Sequence, residues 1–242
     1  MTIQEIHNRL RENLPFNRYD DFEAEELDGY INEAIDLFVS QRFNKFLEVS
    51  RQNLGFEEVQ KRLDDLRTLL VTRHSISPIE INTTFNFASG QFPNNYRFLV
   101  SNITEVYYSS CKEIGYTLTP DFTLDEASLT NGANKISKNR LKSTEVLDDD
   151  LSISFSKTHF NSPIARVRDN FIEVYFENKK FIPKKIYINY IRKPQVVNLS
   201  LSRNCDLADH THREIVKMAT DIILEIIERR ERSIDVRSLS KE

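Results

Sequence analysis

Three groups of side chains in this 242-residue chain are of types that do chemistry. Cys205, His210 and His212 are zinc-ligand types in one short stretch. On a helix, however, two histidines two positions apart diverge by about 200°, and no fourth ligand stands nearby. They read as a half-buried thiol and two surface imidazoles at a helix start. Asp148, Asp149 and Asp150 offer carboxylates to a hard cation, which needs more oxygen ligands held in a rigid loop, so a charged turn or helix start is expected. Lys135, Lys138, Arg140 and Lys142 put four positive charges into eight residues. That cluster suits DNA phosphates or an acidic partner, or simply an edge strand protected from aggregation.

The common catalytic motifs are missing. The five glycines, at 29, 55, 90, 115 and 132, are too scattered for a P-loop or a dinucleotide fingerprint. Neither Gly-x-Ser-x-Gly nor His-Glu-x-x-His occurs. No catalytic, cofactor-binding or metal-binding residue is therefore assigned. A formal charge of −4 argues against a dedicated nucleic-acid binder. Two cysteines fit a reducing compartment, and the absence of a run of about 18 apolar residues argues against a membrane span.

The elements that position these residues follow from periodicity. Ile3, Ile6, Leu10 and Leu14 mark a first helix stopped by Pro15. Leu27, Ile31, Ala34, Ile35, Phe38 and Phe43 mark a second over 22–47, its start loaded with acids. Phe56, Val59, Leu63, Leu66 and Leu70 predict a third. From Ile76 the pattern turns to alternation, with strands around 79–83 and 97–109. Segments 171–176 and 184–192 read as one hairpin with its turn at 177–180. After Pro194 and a polar bridge, Thr211 and Glu214 have capping-box spacing, with Asp209 as a competing N-cap. Ile215, Ala219, Ile222, Ile223, Ile226 and Ile227 then form a last helical stripe ending in basic residues.

The expected fold is α+β: a bundle of long amphipathic helices, N-terminal and C-terminal, with an inserted antiparallel β-rich module. Its parts are a helical region 1–75, a β-rich module 76–200, and a C-terminal helix within 201–242 that packs back on the N-terminal helices.

The run Tyr190-Ile191-Arg192-Lys193-Pro194, the bridge Asn204-Cys205-Asp206-Leu207, and His210-x-x-x-Glu214-Ile215-Val216 before a long helix resemble the C-terminal segment of bacteriophage head-to-tail connector proteins. The resemblance is to the ring, or adaptor, proteins of short-tailed crAss-like phages. The N-terminal helix pair with Glu26 to Phe43, the Phe92-Pro93-x-x-Tyr96 turn and the Asn161-Ser162-Pro163 break agree in order. Leu207-Ala208 stands where such connectors often have Leu-Pro.

The resemblance implies a non-enzymatic, structural virion protein: a dodecameric ring of identical subunits docked below the portal protein. It would contact other connector and tail proteins, and double-stranded phage DNA would pass through it without sequence specificity. It also implies synthesis in the bacterial host cytoplasm, residence in the virion neck, and no cofactor. Another phage neck or tail assembly component is the alternative. A metal-dependent DNA-processing enzyme using Asp148 to Asp150 and the basic stretch 135–142 is a remote one.

Overall fold

The computed structural model describes residues 1–15, 19–51, 64–77, 79–82, 86–109, 136–142, 144–145, 163–176 and 181–239. The chain divides into two compact units: Met1–Leu70 together with Lys193–Glu242, and Val71–Arg192.

The first unit is helical. Helix α1 (Ile3–Asn13) opens on a capping box in which the Thr2 hydroxyl accepts the Glu5 N–H and the Glu5 carboxylate accepts the Thr2 N–H. It buries Ile3, Ile6 and Leu10, with His7 on the same stripe. Helix α2 (Ala24–Arg51) starts after the single turn Tyr19–Asp21, and α3 (His212–Leu239) follows a second such turn, Asp209–Thr211. Arg230 lies over the Phe22 ring and Arg42 pairs with Glu214, so α2 and α3 run antiparallel. Leu27, Ile31, Ile35 and Phe38 of α2 and Ile215, Ala219 and Ile223 of α3 are buried. Each large aliphatic removed from water there contributes about 1.5–3 kcal/mol.

The second unit is β. A four-stranded sheet has the order β1 (Leu70–Ile76), β9 (Phe181–Arg192), β4 (Tyr96–Ser109), β5 (Ile136–Lys142). A five-stranded sheet has the order β2 (Glu80–Asn82), β3 (Phe87–Gln91), β8 (Phe171–Tyr175), β7 (Ile164–Arg168), β6 (Thr144–Glu145). The β6–β7 pair is parallel. One apolar layer joins the sheets: Ile76, Val106, Ile186, Ile188 and Tyr190 from the first meet Ala88, Ala165, Ile172, Val174 and Phe176 from the second. β9 lies between β1 and β4, and Asn189 ties both neighbours. Its Oδ1 accepts the N–H of Arg73 at 2.7 Å and its Nδ2 donates to Ser101 Oγ at 2.8 Å. Arg73 has a φ of 55°, a conformation that bulky side chains rarely adopt, and this hydrogen bond supports it.

Several expectations are corrected. A bundle of long helices with a β insertion does not form: the described residues hold three helices, one of only 11 residues, against nine strands in two sheets. The expected third helix fails at its end. Residues 52–63 lie outside the described residues, whereas Arg67–Leu69 form a single tight turn and Leu70 opens β1.

The hairpin expected between 171–176 and 184–192 does not form either, because β8 and β9 belong to different sheets. Alternation alone does not distinguish pairing within one sheet from facing across a core, and these strands face each other. β8 pairs instead with β7 through a two-residue turn in which Asp169 has a φ of 48°. The Phe92-Pro93 turn holds: the Tyr96 N–H donates to the Pro93 carbonyl and the Phe92 and Tyr96 rings stack at 3.9 Å, as the chain passes from one sheet to the other.

Candidate functional site

The densest set of titratable side chains lies in the helical unit, around segment 193–214. This segment leaves β9 and must satisfy its backbone without a ladder. Side chains from α2 do this. Asn32 Oδ1 accepts the Val197 N–H at 2.9 Å, while its Nδ2 donates to the Val197 carbonyl at 3.1 Å and to the Asp28 carbonyl at 2.8 Å. One turn earlier on α2, Asp28 Oδ2 accepts the Leu199 N–H at 2.9 Å. The other Asp28 oxygen faces His7 Nε2 at 2.9 Å, and His7 Nδ1 meets the Tyr19 hydroxyl at 3.0 Å.

A carboxylate only accepts, so His7 Nε2 donates to Asp28, and Nδ1 shares its hydrogen bond with the Tyr19 hydroxyl. The order carboxylate, imidazole, hydroxyl is that of an activated nucleophile. The second oxygen of Asp28 is held by the backbone of Leu199, and both His7 and Asp28 are buried. The geometry performs fixation: it places protons so that α1, the turn at Tyr19, α2 and the loop lock together.

The loop's remaining bonds continue the pattern. Ile3 N–H donates to Asn204 Oδ1 at 2.8 Å, and Gln195 N–H to Asp206 Oδ2 at 3.2 Å. Leu201 N–H donates to Asn198 Oδ1 at 2.7 Å within a tight turn where Ser202 has a φ of 51°. At the start of α3, Asp65 accepts from His210 Nε2 at 2.8 Å and forms an ion pair with Arg42, its oxygen 2.9 Å from Arg42 Nε, while Arg42 also pairs with Glu214. His212 is buried, and its Nε2–H donates to the Leu207 carbonyl at 3.0 Å. Its Nδ1 therefore accepts from the Met1 amino group at 2.9 Å, which also donates to Asp209 at 2.8 Å. Burial, then the Met1 charge, holds the His212 pKa below its ordinary value, and the Met1 hydrogen bond and charge lower that of Asp209.

The expected capping box at α3 is corrected. Thr211 Oγ1 donates to the Ala208 carbonyl at 2.7 Å instead of accepting an amide, and Glu214 is engaged by Arg42. Cys205, His210 and His212 do not converge: His210 turns to Asp65 and His212 to Leu207, while burial raises the Cys205 thiol to about 11. Among the described residues no group of three or more His, Cys, Asp or Glu side chains is placed to hold a metal ion. Residues 148–150 lie outside the described residues, as does Lys135. Lys138, Arg140 and Lys142 fall at alternate positions of β5, opposite Tyr107, Glu105 and Ile103 of β4. Glu105 is buried and stands in register between Arg140 and Lys185.

Sequence reasoning missed His7, Asp28, Asn32, Arg42 and Asp65. A signal existed for the first two: His7 interrupts the Ile3, Ile6, Leu10 stripe, and Asp28 adjoins Leu27 on the buried face of α2. A polar residue inside an apolar stripe demands a partner. Among the described residues no helix is long and apolar enough to cross a membrane. No family model matches the chain, and no curated protein matches it.

Proposed function

We propose that the chain is a structural subunit of a bacteriophage head-to-tail connector: a ring below the portal that continues the DNA channel from capsid to tail, resident in the virion neck. The observation that carries this reading is the use made of the polar side chains around 193–214. His7, Asp28, Asn32, Arg42, Asp65 and His212 hold backbone or one another, so the constellation acts as a joint. The joint also coincides with the segment from Tyr190 to Val216 that carries the resemblance to ring proteins.

Co-expression with the portal protein of the same phage, followed by mass photometry, tests the reading. A ring-sized species dependent on portal is expected, twelvefold if the resemblance extends to ring order, with no turnover of any substrate. A monodisperse monomer that ignores portal overturns it.

A further inference from the structure

We infer that Tyr19 is an activated phenol, a site at which an activated acyl donor forms an aryl ester with this chain. His7 and Arg11 lie four residues apart on α1, so both reach the same side of the helix. There they bracket Tyr19, which opens the single turn Tyr19–Asp21. His7 Nδ1 stands 3.0 Å from the phenolic oxygen, and the Arg11 guanidinium lies 4.5 Å from the centre of the ring. His7 Nε2 donates to Asp28 Oδ1 at 2.9 Å, and the Leu199 N–H holds the other Asp28 oxygen at 2.9 Å. His7 and Asp28 are buried whereas Tyr19 is half-buried, so the base is shielded while part of the tyrosine meets solvent.

Each group has a part in the step. With the Nε2 proton engaged by Asp28, the neutral imidazole turns the lone pair of Nδ1 towards the phenol. The phenolic oxygen attacks the acyl carbonyl carbon, and the new C–O bond forms as the bond to the leaving group breaks with its electron pair. The phenolic proton passes to Nδ1 and from there to the leaving group. Asp28 offsets the positive charge that the imidazole carries in between, and burial strengthens that attraction. The Arg11 cation over the ring favours the phenolate character that develops on oxygen. The array that fixes α1, α2 and the loop to one another thus also raises the nucleophilicity of one hydroxyl. One ester forms per chain, without turnover, so the inference goes beyond the connector reading and does not depend on it.

The probe is N-acetylimidazole, applied in small excess to the full chain and read by peptide mass spectrometry. Tyr30 is the internal reference: it is half-buried in the same unit with its ring against Phe22, and its phenol has no hydrogen-bond partner among the described residues. Tyr19 is expected to acetylate about a hundredfold faster than Tyr30, the lower end of what a positioned base contributes. A phenol with no base beside it reacts through its phenolate, about tenfold faster per pH unit between about pH 7 and 9. The Tyr19 rate should climb less steeply, because the imidazole takes the proton. Asp28→Asn keeps an oxygen for His7 but removes the charge, and is expected to lower the Tyr19 rate about tenfold with Tyr30 unchanged. If circular dichroism shows that variant misfolded, Arg11→Gln at its exposed position is measured instead, with a loss of about threefold expected. A Tyr19 rate within about tenfold of that of Tyr30 overturns the inference. So does a pH slope equal to that of a bare phenol, or a Tyr19 rate that the folded variant leaves unchanged. Ring formation, read by mass photometry, bears on the connector reading alone.

Discussion

The two units satisfy their polar atoms in opposite ways. In the β unit the ladders between β3, β8 and β7 and between β9, β4 and β5 pair the strand backbones, leaving the shared core of Ile172, Val174, Ile186 and Ile188 to be apolar. In the helical unit the loop 193–208, buried only at Val197, Cys205 and Leu207, runs without a ladder, and Asp28 and Asn32 supply acceptors and donors to its backbone. A single polar side chain there does the work that a strand partner does in the β unit. Polar substitutions in the helical unit should therefore cost as much as core truncations in the β unit.

The largest expected effect tests this equivalence. Asp28→Ala leaves the buried His7 Nε2–H and the partly buried Leu199 N–H without an acceptor. At about 1–3 kcal/mol for each unsatisfied group, the helical unit should lose roughly 2–5 kcal/mol. Ile188→Ala should cost the β unit a similar amount, about 2–5 kcal/mol. Hydrogen exchange resolved by segment should place the first loss in α1 and α2 and the second in β4 and β9. A cost below about 1 kcal/mol for Asp28→Ala would break the comparison.

Asn32→Ala comes next. It removes the acceptor of the Val197 N–H and a donor to the Val197 carbonyl, and should cost about 1–3 kcal/mol by chemical denaturation. Asn32→Asp sharpens the comparison, since it keeps an acceptor for the N–H while opposing the carbonyl with a second acceptor. Its loss should be comparable to that of alanine, not intermediate.

The units should also differ in acid. His212 has a folded pKa below its ordinary value of about 6.5, so between the two values the unfolded chain binds more protons. Its contribution is complete above about 6.5 and declines as the pH falls through that value. Asp209, lowered by the Met1 amino group, adds a second loss as the pH falls below its ordinary carboxylate range. Exchange protection in α3 should thus fall between pH 7 and 5 ahead of protection in β4 and β9, and His212→Gln should flatten that dependence. An α3 profile unchanged by His212→Gln would remove this residue from the acid response.

These contrasts explain what was legible in the sequence. The apolar stripes of α1, α2 and α3 could be read because each buries one helical face, and period 3.6 records that directly. The alternation of 171–176 and 184–192 identified strands but not their sheets, since inward-facing residues alternate identically whether strands pair side by side or meet across a core. The third stripe misled at Leu66 and Leu70: Leu66 and Leu69 are buried from a turn, and Leu70 begins a strand. The joint was half legible, through His7 and Asp28 within apolar stripes. Asn32, Arg42 and Asp65 were not, because their partners lie up to 172 residues away and no local period encodes them.

The smallest expected effect is that of His210, which separates a partner from a necessary partner. Its imidazole meets Asp65 at 2.8 Å, yet 61% of its side chain is exposed, so water can replace the bond. Asp65 keeps Arg42 when the imidazole is removed. His210→Ala should therefore cost at most about 1 kcal/mol, and a double-mutant cycle with Asp65→Asn should return a coupling of roughly 0.2–1 kcal/mol. The Asp28 and His210 bonds are of similar length, 2.9 and 2.8 Å, and burial distinguishes them. If His210→Ala matched Asp28→Ala in cost, burial would not be what sets the value of a polar contact in this unit, and the contrast between loop and ladder would need another cause.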